Sequence, residues 1–310
     1  MLIKPRALRP GDRIAVVAPA SPCEPDEFEA GIAELRRLGL QPVFEPTVFD
    51  RDGYVAGAAE VRAAAIRAAL GDESVRAIIG VRGGYGSVQI LPWLDAAEVG
   101  RARKPLVGYS DLTSLLTFVT GRCGVIAFHG PTVAGPLRRG PGAYDEATLV
   151  GALMNAEPLG PLSAPGLEAL RSGEASGRLA GGNLTQLAAS MGTPFAFDPP
   201  AGAVLFLEDV NERPYRLDRL WTQLRLAGII GRASAIVFGE FPGCDEPGGD
   251  VLGRDTLARL VRSFSGPVLF GFPSGHTAGA SMTLPLGVRA RVVTGAQPAL
   301  VIEEAAVSDR

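Results

Sequence analysis

The sequence predicts an α/β fold: a mostly parallel sheet with helices on both faces, followed by a second unit of strands and helices. Three observations predict it. From residue 13 to about residue 130, short apolar runs alternate with stretches of helical spacing, the pattern of strands buried on both faces. Residues 155–178 then lose periodicity and hold Pro158, Gly160, Pro161, Pro165, Gly166 and Gly173, which reads as an inter-domain linker with room for a short strand or hairpin. Beyond it the alternation resumes. The expected division is therefore 1–154, a linker at 155–178, and 179–310.

In chain order, residues 13–20 are an apolar strand ending in Pro-Ala-Ser-Pro. Residues 26–38 carry Phe28, Ile32, Leu35 and Leu38 at helical spacing, and Gly39 suits the position just past the helix end. Residues 41–45 form a second strand. Residues 59–70 form an Ala-rich helix stopped by Gly71, and residues 75–81 a third strand running into Arg82-Gly83-Gly84-Tyr85-Gly86-Ser87. A fourth strand ends at Ser110, with a helix to about Thr120; residues 125–128 are a fifth strand, followed by His129-Gly130-Pro131. In parallel sheets ligands bind beyond the carboxyl ends of the strands. Residues 82–87, Ser110 with Asp111, and His129 with Gly130 all meet that condition. In the second unit, a helix follows Gly181-Gly182-Asn183 and residues 203–207 are a strand leading to Glu208-Asp209-Val210. Pro214 suits the first turn of a helix over 214–227. A strand at 235–239, a helix at 255–264, a strand at 267–272 before Pro273-Ser274-Gly275-His276, and closing strands at 282–293 and 299–303 complete the chain.

Composition narrows the function. A net charge of −3 with interspersed signs offers no basic stripe for nucleic acid. Cys23, Cys123 and Cys244 are too far apart for a disulfide framework or a metal-ligand spacing, and two histidines do not make a His-rich zinc site. The first apolar segment is too short for a membrane span and lacks a signal-peptide layout, so a cytoplasmic location is expected.

Chemistry concentrates at a few points. A serine at a tight strand-to-helix turn is pushed out of the fold beside free N–H groups that favour negative charge, which suits a nucleophile. Ser110 and Asp111 are also preferred N-cap types, and on this stretch alone capping is the favoured reading. Gly83-Gly84-Tyr85-Gly86 does not meet the dinucleotide pattern and does not follow the first strand. A bare turn of this kind brings backbone N–H groups close to a ligand, as an oxyanion hole or an anion cradle does. A serine hydrolase needs a base held by a carboxylate. His129 and His276 both lie just past strands in Gly/Pro-flanked loops, and spacing does not choose between them. Glu208 or Asp209, at the end of an apolar strand, is the carboxylate, and Glu208 continues the strand, so its side chain is aimed at one defined face.

In their order and spacing, Gly108-Tyr109-Ser110-Asp111, Arg82-Gly83-Gly84-Tyr85-Gly86, Leu207-Glu208-Asp209-Val210 and Gly275-His276 resemble the LD-carboxypeptidases. These are serine peptidases that include muramoyltetrapeptide carboxypeptidases and microcin C self-immunity peptidases. The resemblance extends over nearly the whole chain, through Ala18-Pro19-Ala20-Ser21, His129-Gly130-Pro131, Gly181-Gly182-Asn183 and Pro214-Tyr215-Arg216-Leu217-Asp218-Arg219. It implies an N-terminal Rossmann-like domain carrying the nucleophile and a C-terminal domain with a β-barrel-like core. It also implies a homodimer, and an active site between the domains that needs no cofactor and no metal. It implies a triad of Ser110, Glu208 and His276, an oxyanion hole from the Gly84 and Asp111 N–H groups, and a structural or substrate-lining His129. Gly83 and Tyr85 are expected to line the substrate, with Arg82 as the partner of its terminal carboxylate. The substrate implied is a murein tetrapeptide losing its C-terminal D-alanine during peptidoglycan recycling. The order Ser…Glu…His is that of α/β-hydrolases, but Leu112 stands where their G-x-S-x-G elbow has its second glycine, so convergence is expected. Two other readings are a microcin-type peptidase acting on a peptidyl-nucleotide amide and a non-catalytic binder of small anions. The first calls for aromatic stacking, whereas Trp93 and Trp221 lie in helical segments and the linker holds no aromatic-rich loop. The second leaves Ser110, Glu208 and His276 without a joint purpose.

Overall fold

The computed structural model describes residues 2–309. Its first sheet is built from β1 (Arg13–Val17), β2 (Gln41–Val43), β3 (Val75–Gly80), β4 (Leu106–Gly108) and β5 (Ala127–His129). Helices α1 (Pro25–Arg37), α2 (Ala59–Gly71), α3 (Ser87–Ile90), α4 (Ala96–Ala102) and α5 (Thr113–Gly121) connect these strands, and α6 (Glu146–Met154) follows them. The second sheet takes β6 (Gly160–Leu162), β7 (Glu168–Arg171), β8 (Glu174–Asn183), β9 (Val204–Glu208), β10 (Ala235–Phe238) and β11 (Val268–Phe270), with α7 (Leu184–Ala189), α8 (Pro214–Leu226) and α9 (Gly253–Leu260) between them. Of the last strands, β12 (Leu284–Leu286) returns to the first sheet, while β13 (Arg289–Val293) and β14 (Ala299–Ile302) join the second.

Strand order in the first sheet is β12-β5-β4-β3-β1-β2, with β1–β5 parallel and β12 antiparallel. Within the Rossmann-like class this β2-β1-β3-β4-β5 order is that of flavodoxin-type doubly wound sheets. The order reverses at β1/β3, so the loops after β1, β3, β4 and β5 gather at one edge, around that switch point.

The second sheet runs β6-β14-β13-β8-β9-β10-β11-β7. The barrel-like core expected of this half is an open mixed sheet among the described residues: β8–β11 are parallel, and β13, β14, β6 and β7 flank them antiparallel. Both of its faces are covered, so β9 and β10 are buried along their whole length. Their side chains still alternate between two cores. Val204, Phe206, Ala235 and Val237 belong to the core continuous with the first sheet. Leu205, Leu207, Ile236 and Phe238 pack under Leu187 of α7, Leu217, Trp221 and Leu224 of α8, and Leu257 of α9. The period of two then places Glu208 on the Val204–Phe206 face, toward the first sheet.

Three short strands contain proline, β2 with Pro42, β6 with Pro161 and β12 with Pro285, and all three are edge strands. An edge is where a missing N–H does not break a ladder. No helix among the described residues is long and apolar enough to cross a membrane.

Candidate active site

β4 ends at Gly108, and Ser110 opens a single 3-10 turn, Ser110–Leu112, that leads directly into α5. Ser110 has φ +62°, a left-handed conformation that is costly for a non-glycine residue and is held only when its surroundings impose it. Leu112 imposes it. Its side chain is fully buried against Gly80 of β3 and Gly108 of β4, at both of which a Cβ would collide with it. The glycines that a tight elbow needs are thus moved onto the strands beneath, which explains a leucine two residues after the serine. Gly108→Ala is expected to cost about 1–3 kcal/mol through overpacking against Leu112. Urea unfolding measures it, and a loss well below that range would contradict the packing argument.

The side chains at this turn do not cap α5. Neither Ser110 nor Asp111 makes a side-chain cap, which corrects the capping reading. The Asp111 carboxylate is 1% exposed and reaches across to α3, accepting the Ser87 N–H through Oδ2 at 2.8 Å. Burial pushes this carboxyl up, while its bonds to the α3 N-terminus and the charge of Arg62 act against that.

The glycine turn after β3 lies against the serine. A Cβ on Gly83 would stand 2.8 Å from Ser110 Cβ and 3.3 Å from the Asp111 nitrogen. Gly84 has φ +101° and no room for a Cβ beside Ser21. Ser21 Oγ donates to the Tyr54 carbonyl at 2.7 Å and accepts the Tyr85 N–H at 3.1 Å, pinning the turn to the loop after β1. Among the described residues neither the Gly84 N–H nor the Asp111 N–H finds an acceptor. The Tyr85 ring is half exposed and packs on Tyr54 with centroids 5.7 Å apart. Arg82 Nη1 approaches the Pro22 carbonyl at 3.5 Å, and Arg82 has no ion-pair partner among the described residues.

From the second sheet, Glu208 reaches the same region fully buried. Its Oε2 accepts the His276 backbone N–H at 3.0 Å and contacts His276 Nδ1 at 2.7 Å. Gly275, at φ +78°, lets the His276 loop lie directly on this carboxylate, since a Cβ there would come within 2.8 Å of Glu208 Cδ. Burial alone would push the Glu208 carboxyl up. The hydrogen bond and charge of His276, with His129 behind it, hold it below the usual carboxylate value. Burial likewise pulls the His276 imidazole down, but Glu208 outweighs it and leaves the pKa raised. Glu208 therefore makes the imidazole a stronger base than an isolated one, and with Nδ1 held against the carboxylate the neutral ring leaves Nε2 as its basic nitrogen.

The two histidines are now distinguished. His129 is fully buried, with Nδ1 3.2 Å from Ser274 Oγ and Nε2 4.0 Å from Glu208 Oε1, and burial pulls its pKa to about 4. His276 is the one bonded to Glu208. Tyr109 joins the halves of the site: its ring meets His276 edge-on at 5.1 Å and His129 at 6.1 Å. Ser110 follows Tyr109 in the chain, so the serine, the glycine turn and the Glu208–His276 pair share one location. Among the described residues Ser110 Oγ and His276 make no direct hydrogen bond; in free enzymes such bonds are often long and tighten only with substrate.

Asp209, the other carboxylate considered, is engaged at the start of α7 and makes no hydrogen bond to His276 among the described residues. It accepts Asn183 Nδ2 at 3.1 Å through Oδ1, and the N–H and hydroxyl of Thr185 at 2.9 and 2.8 Å through Oδ2. Trp221 is 2% exposed in the second core, whereas Trp93 is 46% exposed in the turn after α3. The sequence gives no role to Tyr54 or Arg62, and it names Ser21, Ser87 and Ser274 only as members of motifs. Arg62 left a signal of its own, since it stands four residues before Ile66 on the otherwise apolar, buried face of α2.

Two family descriptions match the chain, the LD-carboxypeptidase N-terminal domain over residues 14–130 and the LD-carboxypeptidase C-terminal domain over residues 176–292. A probable murein peptide carboxypeptidase of Bacillus subtilis is 32% identical, over 99% of this chain and 96% of its own. The solved structure of a muramoyltetrapeptide carboxypeptidase from Oxalobacter formigenes has a TM-score of 0.82 at 30% identity, over 94% of this chain and 99% of its own. A structure of the microcin C7 self-immunity protein MccF shares the fold at a TM-score of 0.90 and 24% identity, over 99% of this chain and 100% of its own.

Proposed function

The chain belongs to the LD-carboxypeptidase family, and we propose that within it this protein is a serine LD-carboxypeptidase that releases the terminal D-alanine of murein tetrapeptides. Ser110 is the nucleophile, His276 the base and Glu208 the group that orients His276. The observation that carries the reading is the Glu208–His276 pair, which holds one imidazole by ring and backbone beside a strained, outward-facing serine.

With Nδ1 engaged by Glu208, His276 has Nε2 free to take the Ser110 proton as Oγ attacks the carbonyl of the L-residue that precedes D-alanine. The Gly84 and Asp111 N–H groups receive the oxyanion, each contributing on the order of 3 kcal/mol. His276 then passes its proton to the departing nitrogen, the C–N bond breaks and D-alanine leaves. Water, deprotonated by the same imidazole, attacks the Ser110 ester and regenerates the serine. Gly83 and Tyr85 line the approach to Ser110. The same reading places the enzyme in the cytoplasm, in peptidoglycan recycling, and as a homodimer.

Arg82, a half-buried cation beside the glycine turn without an ion pair among the described residues, is the partner for the substrate's terminal carboxylate. Arg82→Ala is expected to raise KM for the tetrapeptide by about 10–100-fold, the worth of a charge-assisted hydrogen bond, with kcat much less affected. Steady-state kinetics check it, and an unchanged KM would remove Arg82 from the site. The reading as a whole is tested by a fluorophosphonate probe. Ser110 should be the labelled residue in a peptide map; an unlabelled Ser110 in the folded protein would contradict serine catalysis here.

A further inference from the structure

Arg62 is a cation that the mechanism above does not use. It lies on the inner face of α2 and is 4% exposed. None of its hydrogen-bond partners is a carboxylate. Nε donates to the Gly57 carbonyl at 3.0 Å, Nη1 to the Pro19 and Gly86 carbonyls at 2.6 and 2.8 Å, and Nη2 to Gln89 Oε1 at 2.6 Å. Burying a guanidinium on neutral partners is costly, and hydrophobic residues often fill such a position at no loss of stability. What this one holds is the loop after β1, the start of α2 and the glycine turn, all at the switch point.

One peptide group shows how. The Gly86–Ser87 peptide is gripped at both ends, its carbonyl by Arg62 Nη1 and its N–H by Asp111 Oδ2 at 2.8 Å. Cation and carboxylate attract each other across it. Ser87 Oγ adds a bond to the Asp111 carbonyl at 2.5 Å. The fit is tight, since a Cβ on Gly86 would lie 2.8 Å from Arg62 Nη1 and 2.9 Å from Val55 Cγ1. Gly84 is two residues before this peptide, and Asp111 supplies both the carboxylate that grips it and the second free N–H.

We propose that Arg62 is a positioning residue: through the Gly86–Ser87 peptide and Asp111 it fixes the separation of the Gly84 and Asp111 N–H groups, and so sets the oxyanion site. The proposal rests on the reading of those two N–H groups given above. Because an oxyanion exists only along the reaction path, disturbing the clamp lowers kcat and leaves KM. Glu208 ends β9 and His276 lies in the loop after β11, away from the clamp, so the acid limb of the pH–rate profile, which the titration of His276 sets, stays in place.

The test uses three variants. Arg62→Lys keeps the charge but puts three donors on one nitrogen in place of a planar fork, which does not reach four separated partners at once, and a misplacement of about 1 Å in such a site costs about 100-fold. Its kcat and its rate of fluorophosphonate acylation should both fall by about that factor, with KM within about twofold and the acid limb unmoved. Ser87→Ala removes one bond of the clamp with almost no change in volume and should lower kcat by about tenfold. Arg62→Ala opens onto a groove of about 470 Å³ lined by Val61, Arg62 and Ala65, which gives added guanidinium ion a path to the vacated position. Guanidinium should restore part of kcat in this variant, and neutral urea should not. A folded Arg62→Lys or a Ser87→Ala with kcat within about threefold of the parent overturns the proposal, as does a loss in Arg62→Lys confined to KM. If the Arg62 variants do not fold, Ser87→Ala decides alone. Failure of the underlying reading looks different: an active Ser110→Ala removes the oxyanion itself, whereas an inactive Ser110→Ala beside a fully active Arg62→Lys removes only the clamp.

Discussion

Ser110→Ala is expected to lower kcat for D-alanine release by about 10⁶-fold, the loss seen when a serine hydrolase loses the one atom that forms its covalent intermediate. The fold should not register the change. Alanine carries the same Cβ into the φ +62° position, so the strain of the elbow is kept and only the hydroxyl is removed. Ser110→Gly separates the two contributions further. It relieves the Cβ conflict and should raise stability by on the order of 1 kcal/mol while remaining inactive. A parent less stable than its inactive glycine variant is what stored strain at a nucleophile means in practice. Thermal unfolding and an assay of free D-alanine, run on the same three proteins, read both effects. Substantial activity in Ser110→Ala would sink the assignment, and an unstabilised Ser110→Gly would remove the strain from it.

Glu208→Gln should be nearly as severe, with a loss of about 10⁴-fold in kcat, because the amide keeps the shape of the side chain but not its charge. It also moves the pH profile in a direction that can be worked out. Activity needs neutral His276. Burial pulls that pKa down, and Glu208 outweighs burial and raises it, so the acid limb of kcat/KM in the parent lies above the 6.5 of an ordinary imidazole. In Glu208→Gln burial acts without that opposition, and the limb moves to lower pH. The linkage to stability has the matching sign. A His276 pKa raised by folding stabilises the native state fully below the unfolded value, and this stabilisation is lost as pH rises through the folded one. The amide variant should lose that contribution. An acid limb that stays in place would show that Glu208 does not hold His276.

Much of this was legible in the sequence because it depends on local pattern. The parallel first sheet follows from apolar runs alternating with helical spacing, and its ligand-binding edge from the glycines and histidine that end β3, β4 and β5. Glu208 was legible as the last residue of an apolar strand, and the two-residue alternation that aims it continues from Val204 and Phe206. What was not legible rests on contacts between distant segments. β12 carries a proline and is three residues long, so nothing in it marks an edge strand of the first sheet. β6 and β7 lie where residues 155–178 read as a linker, and as edge strands they lack the apolar alternation of a covered strand. The α3 helix is a four-residue element whose start is fixed by Asp111, twenty-four residues away. The choice between His129 and His276 needed the register of β9 against the Gly275 loop. For Arg62 the buried face of α2 was visible as a spacing, but the three carbonyls it holds belong to segments that only the fold brings together.

The most direct test of the account is the product mixture from two peptides, a murein tetrapeptide ending in D-alanine and the same peptide ending in L-alanine, each incubated with the protein and read by mass spectrometry. The account predicts free alanine and the tripeptide from the first and intact starting material from the second. No tripeptide from the D-terminal peptide, or equal cleavage of the two, would contradict it.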